Sequence, residues 1–146
     1  MPAPAMTADE IAALLSAEFP QVFHPGCGLS IEHVGYGEVR VRRSFRDSHL
    51  RPGGTISGPA MMELADFAMY VAVFSVIGPE PRAVTATLTI NFLRRPAAGD
   101  LLAEAKVMKC GKRLIAGQVT LYPPGQGEPV AHVTSIYSVP NDDRPP

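Results

Sequence analysis

Apolar residues follow three rhythms along this chain. In the first, Ile11, Leu14, Leu15 and Phe19 recur at helical spacing. They stand behind Thr7-Ala8-Asp9-Glu10, where Glu10 follows Thr7 by three residues as in a capping box. Pro20 closes the element, so a short amphipathic helix is predicted over about 7–19. The second rhythm is alternation. Val39, Val41, Arg43 and Phe45 alternate with Arg40, Arg42 and Ser44, and Leu29–Val34 precedes them across the turn Gly35-Tyr36-Gly37. Val84, Ala86, Leu88, Ile90 and Phe92 are predicted on one face of a later strand, with Thr85, Thr87, Thr89 and Asn91 on the other. Leu101–Cys110, Leu114–Tyr122 and Val130–Val139 read as three further strands. Short turns join these last four as antiparallel neighbours of a meander.

The third rhythm is an absence of rhythm. Between Gly58 and Ile77 almost every residue is apolar, and Gly78-Pro79 stops the run. A helix apolar on every side has to be buried on every side. Its twenty residues would span about 30 Å. The uncharged part, Phe67 to Ile77, is too short to cross a bilayer. The predicted class is α+β: one long central helix wrapped by a curved antiparallel sheet of about six strands, as a single domain over 1–146. A lone curved sheet leaves edges and an outer face uncovered, so pairing with a second copy is expected. Met1–Met6 and the tail Pro140–Pro146 are Pro-rich, and both are expected to be poorly ordered.

Composition narrows the function classes. A chain of 146 residues holds one core, and a formal net charge of -1 points to neither nucleic acid nor a membrane surface. Cys27 and Cys110 make no disulfide framework, and His24, His33 and His132 show no metal-ligand spacing, so no metal is expected. Cys110 alternates within a strand and reads as packing. The opening residues lack the basic-then-apolar pattern of a secretory leader, and a cytoplasmic protein is expected.

Two charges interrupt the apolar helix, Glu63 and Asp66, three residues apart and so on one face. The dipole at a helix start fades within a turn and does not explain Asp66. Asp is also a poor helix-interior residue. Either carboxylate would serve as a backbone cap or an arginine partner, or as a base or nucleophile in a dry site. At the helix start, Ser57-Gly58 offers an N-cap and free N–H groups that suit an oxygen gaining negative charge.

The run Arg51-Pro52-Gly53-Gly54-Thr55-Ile56-Ser57-Gly58-Pro59-Ala60-Met61-Met62-Glu63-Leu64-Ala65-Asp66 resembles the hotdog-fold thioesterases of the phenylacetic-acid-degradation type. Thr89–Asp100 and Lys109–Leu114 resemble later strands and turns of that family. The resemblance implies an acyl-CoA thioesterase acting on a small to medium apolar or aryl acyl group. Asp66 would be base or nucleophile, the Gly58 N–H would polarise the carbonyl, and the Thr85 hydroxyl would help place water. Arg94, Arg95, Lys112 and Arg113 would meet CoA phosphates. It implies an obligatory homodimer with a shared site, often a dimer of dimers, and no cofactor beyond the CoA of the substrate. Ser57 stands where the family has His, Pro59 where it has Gly, and Arg51 where it has Asn. A cation beside Asp66 would hold it ionised or, in a tight pair, block it. The same residues fit two other readings. One is a hotdog hydroxyacyl hydratase or dehydratase using His49 and Glu63. The other is a non-catalytic acyl-CoA binding protein.

Overall fold

The computed structural model describes residues 2–125 and 127–140. The chain opens with α1 (Ala8–Glu18), β1 (Leu29–Gly35) and β2 (Glu38–Arg43). A small hairpin follows, β3 (Leu50–Arg51) and β4 (Thr55–Ile56), and then the long α2 (Gly58–Ile77). The remaining strands are β5 (Val84–Phe92), β6 (Leu101–Cys110), β7 (Leu114–Tyr122) and β8 (Ala131–Ser138). Six of the strands make one antiparallel sheet in the order β1-β2-β6-β7-β8-β5. α2 packs against every strand of that sheet, which places the single helix inside its curve as expected.

Each helix begins where its capping residues require. The Thr7 N–H donates to Glu10 Oε1 at 2.9 Å and the Glu10 N–H to Thr7 Oγ1 at 3.2 Å, a complete capping box. Ser57 caps α2, its Oγ accepting from the Ala60 N–H at 3.3 Å. Leu64, Ala68, Val71 and Phe74 of α2 are wholly buried against Val41, Ile115, Val119 and Val133 of the sheet. At one point helix and strand meet too closely for any side chain. A Cβ on Gly117 would lie 2.7 Å from Met69 Cε and 2.7 Å from the Lys106 carbonyl oxygen.

Several sequence expectations are corrected. β5 is not the neighbour of β6: it pairs with β8 at the far edge, and β6 pairs with β2. The segment 93–100 is therefore a crossover spanning β8 and β7, about 14 Å at the usual strand spacing. Of the opening segment, Ala5 and Met6 are docked rather than loose, and Met1 lies outside the described residues. The Ala5 N–H donates to the Ser75 carbonyl at 2.8 Å, and Met6 is buried. That bond uses a carbonyl near the end of α2. Residues 141–146 of the tail lie outside the described residues. Cys110 is exposed rather than packed. α2 is also not buried on every side: Met62 and Glu63 are exposed in its second turn and Asp66 is half-buried. By length and hydropathy α2 could cross a membrane, but 72% of its apolar window is buried inside this fold, as a core helix requires.

Candidate active site

Asp66 lies two turns into α2 and faces the junction of β8 and the edge strand β5. Its Oδ1 is held twice. Thr85 Oγ1 of β5 donates to it at 2.6 Å, and the Tyr137 hydroxyl of β8 at 2.9 Å. Tyr137 also lies 3.0 Å from the Asp66 carbonyl oxygen. Oδ2 has no partner among the described residues, so one carboxylate oxygen is fixed and the other is left to act. Burial, and then the charge of Asp66, push the Tyr137 hydroxyl far above its ordinary value. Tyr137 therefore remains a hydrogen-bond donor throughout the neutral range.

Thr85 reaches Asp66 because the alternation in β5 breaks. Thr85 pairs with Tyr137 and Leu88 with Ser135, with a register shift between Thr85 and Thr87. That bulge turns Thr85 to the helix side, the side of Leu88, Ile90 and Phe92. The predicted face shared with Thr87, Thr89 and Asn91 is corrected accordingly. Without the bulge the Thr85 hydroxyl would point away from Asp66.

The start of α2 carries a second group of residues. Gly58 is the first residue of the helix, and its N–H has no partner among the described residues. The Phe92 ring sits over it, such that a Cβ at position 58 would come 3.1 Å from Phe92 Cζ. Arg51, Gly58, Met61, Phe92, Arg94 and Arg95 line a groove of about 280 Å³. Ser57 is committed to structure, accepting from Ala60 and donating its N–H to the His49 carbonyl at 2.8 Å.

Of the sequence-predicted residues, Thr85 meets Asp66 within one chain, whereas Gly58 and the basic turns do not. Eight residues of helix between Gly58 and Asp66 make about 12 Å. Arg51 is exposed in the β3–β4 hairpin and makes no pair with Asp66, so its expected role as the neighbouring cation is corrected. Glu63 points instead to Arg43, whose Nη1 donates to its Oε1 at 2.7 Å. Arg43 is buried, with its Nε unpartnered. His49 lies nearby and is drawn below the usual imidazole value by burial first and by the charge of Arg43 second. Arg94 is exposed and pairs with Glu128 at 2.7 Å. It stands with Arg95 at the Phe92 end of the sheet, whereas Lys112 and Arg113 occupy the β6–β7 turn at the Val84 end. A nine-residue strand separates those ends, about 27 Å.

Tyr137 and Phe92 were not singled out from the sequence. Alternation in β8 does place Tyr137 inward with Val133 and Ser135, but nothing in the sequence registers it against Asp66. Two grooves of about 440 and 510 Å³ lie on the charged outer face of the sheet and contain no residue of α2. Among the described residues no three His, Cys, Asp or Glu side chains gather in a metal-binding group.

Residues 53–130 match the sequence profile of the thioesterase superfamily. A candidate thioesterase from Silicibacter sp. TM1040 is 38% identical and superposes with a TM-score of 0.82 over 94% of each chain. The PaaI protein of E. coli, from the phenylacetic acid degradation operon, is 25% identical with a TM-score of 0.71, over 88% of this chain and 85% of that one. A candidate esterase from Saccharolobus solfataricus is 29% identical over 119 residues, 82% of this chain and 77% of its own length.

Proposed function

The chain belongs to the thioesterase superfamily and has its hotdog fold, and on that premise we propose that it hydrolyses acyl-CoA thioesters with Asp66 as the reacting carboxylate. The observation that carries this reading is the one-sided grip on Asp66. Thr85 and Tyr137 hold Oδ1 and leave Oδ2 without a partner among the described residues, on a mainly apolar helix. Oδ2 takes a proton from water as the water oxygen attacks the thioester carbonyl carbon. The alternative from the same geometry is direct attack by Oδ2 on that carbon, after which the thiolate leaves and water hydrolyses the resulting Asp66 anhydride to the free acid and the carboxylate. The carbonyl oxygen gains charge and needs an N–H donor about 3 Å away. Collapse expels the CoA sulfur, which leaves as thiol once protonated, with a carboxylic acid as the other product. Coenzyme A is part of the substrate, and the scheme uses no separate cofactor.

The donor in this scheme is the N–H of Gly58, and it belongs to a second copy. A gap of about 12 Å along one helix is too long for one carbonyl group to bridge. β5 is an edge strand, and α2 runs antiparallel to it, with Gly58 beside Phe92 and Asp66 beside Thr85. Antiparallel pairing of β5 with its copy about a two-fold axis sets the Phe92 end of one chain against the Thr85 end of the other. Gly58 of the partner subunit then approaches Asp66. The same pairing brings Arg94 and Arg95 of one chain toward Lys112 and Arg113 of the other, a basic rim suited to CoA phosphates. We read the molecule as a cytoplasmic homodimer, associating further as a dimer of dimers. Ser57 serves the reaction only by holding the start of α2, and Arg51 serves it from the groove beside Gly58. The hydratase reading is disfavoured because the Glu63 carboxylate is engaged by Arg43.

Free thiol released from a panel of acyl-CoAs tests the reading. Asp66→Asn is expected to lower kcat/KM by about 10²–10⁴-fold. Undiminished release from that variant would overturn the site. Saturable binding by the unmodified protein, without release, would instead make it an acyl-CoA binder.

A further inference from the structure

A cleft of about 240 Å³ opens between the C-terminal end of α1 and the start of β5. Its walls include Phe19, Tyr70, Tyr137, Pro81, Thr85 and Glu18. Two of these, Thr85 and Tyr137, are the residues that hold Asp66 Oδ1. The cleft therefore begins one side chain away from the carboxylate. Its lining is aromatic and preorganised. Tyr70 stacks on Tyr137 with centroids 5.8 Å apart and planes at 19°, and Phe19 meets Tyr70 edge-on at 6.2 Å. The polar tip of Tyr70 is satisfied, its hydroxyl donating to the Pro81 carbonyl at 2.5 Å. The rings of Phe19, Tyr70 and Tyr137 thus face the cleft beside Pro81, Ala83 and Val84.

Size and charge both restrict the occupant. The volume falls below the roughly 300–1,000 Å³ of sites that enclose drug-sized ligands. Phe19 follows the last residue of α1 and forms the wall opposite β5. Among the described residues the exposed Glu18 is the one charged residue of the lining, since the nearby Glu80 is paired with Arg82 at 3.2 Å. Tyr70 responds to both carboxylates: burial, then Glu80, then Glu18 push its hydroxyl upward.

We propose that this cleft binds the acyl group of the substrate and selects a small uncharged acyl group over a carboxylate-ended one, with Phe19 setting its depth and Glu18 its charge preference. The proposal rests on the reading of Asp66 as the reacting carboxylate. It adds a role for α1, an element that the chemistry at Asp66 does not otherwise require.

The test is kcat/KM of the full-length protein on acetyl-, hexanoyl-, decanoyl-, phenylacetyl- and glutaryl-CoA. The unmodified protein is expected to turn over the small uncharged esters and to disfavour glutaryl-CoA. Phe19→Ala should raise the decanoyl-to-hexanoyl ratio by about tenfold or more, since single methylene changes in an apolar pocket shift selectivity by about 10–200-fold. Phe19→Leu is the milder companion should the alanine variant fold poorly, and Phe19→Trp should move the preference toward acetyl-CoA. Glu18→Lys should raise glutaryl-CoA relative to hexanoyl-CoA. Asp66→Asn in the same panel separates the two claims. If it abolishes turnover while the Phe19 and Glu18 variants keep the unmodified profile, the cleft is not the acyl site and the proposal falls alone. If Asp66→Asn keeps full turnover, both claims fall.

Discussion

At the scale of single residues, the site turns on which oxygen of Asp66 is held. Thr85 and Tyr137 both reach Oδ1, through hydroxyls on different strands. Tyr137→Phe keeps the ring and removes only the donor. It is expected to lower kcat while leaving KM for the acyl-CoA near its original value, because the cleft wall is preserved. Unchanged kcat in steady-state assays would remove Tyr137 from the scheme. At Gly58 two substitutions separate space from hydrogen bonding. Gly58→Ala keeps the N–H but brings a methyl against Phe92, 3.1 Å away in the present geometry. Gly58→Pro meets the same ring without any N–H, and proline is tolerated at a first helical position. Turnover lower in the proline variant than in the alanine variant, by about 10²-fold, isolates the donor. Equal loss in both would assign the effect to crowding. Asp66 was readable as an oddity because a charge in an apolar helix breaks the pattern. Tyr137 was not, since a tyrosine in an alternating strand looks like any other core residue.

At the scale of elements, α1 connects stability to the proposed cleft. Its capping box satisfies N–H groups at both Thr7 and Glu10. Thr7→Ala is expected to cost about 1 kcal/mol in urea unfolding. β1 and β2 are cross-linked by charge, with Glu32 accepting from Arg42 Nε at 2.6 Å and Arg40 Nε at 3.1 Å. The Arg42 hydrogen bond foremost holds the Glu32 carboxyl below its ordinary value. A folded value below the unfolded one stabilises the protein above the unfolded value, about 4.3. That contribution is lost as pH falls through the folded value. On an exposed surface it is at most about 1 kcal/mol. The stability gap between the parent protein and Glu32→Gln should therefore be present at pH 7 and close below about pH 4; a gap independent of pH would refute the ion-pair account. The elements themselves were legible, since periods of 3.6 and 2 are local properties of the chain. The bulge in β5 was not, because it exists only as a mismatch with β8.

At the scale of the whole molecule, one chain presents two half-sites. Gly58 with Arg94 and Arg95 lies at one end, and Asp66 with Thr85 and Tyr137 at the other. Mixing subunits tests the pairing directly. Asp66→Asn and Gly58→Pro chains, each inactive alone, should regain turnover when unfolded together and refolded. A mixed dimer would contain one intact pair of Asp66 and Gly58. No regain, with mixed dimers verified by mass, would place the whole site within a single chain. Charges on the exposed edge, Thr87→Asp with Thr89→Asp, should yield a folded monomer in sedimentation and abolish thiol release. An active monomer would contradict the shared site.

The class of this protein is written in local patterns along the chain. Hydrophobic periodicity is written residue by residue, so one apolar helix, about six strands and a carboxylate out of place could all be read from it. The run through Asp66 also carried a resemblance to thioesterases that the family match supports. Long-range packing makes β5 an edge strand, turns Thr85 inward through a bulge, and sets Tyr137 beside it on Asp66. It also keeps Arg51 away from Asp66 and pairs Arg43 with Glu63. Each of these depends on which residues meet across long stretches of chain. The Asp66 that interrupts the helix pattern thus acquired its partners from strands 19 and 71 residues further along.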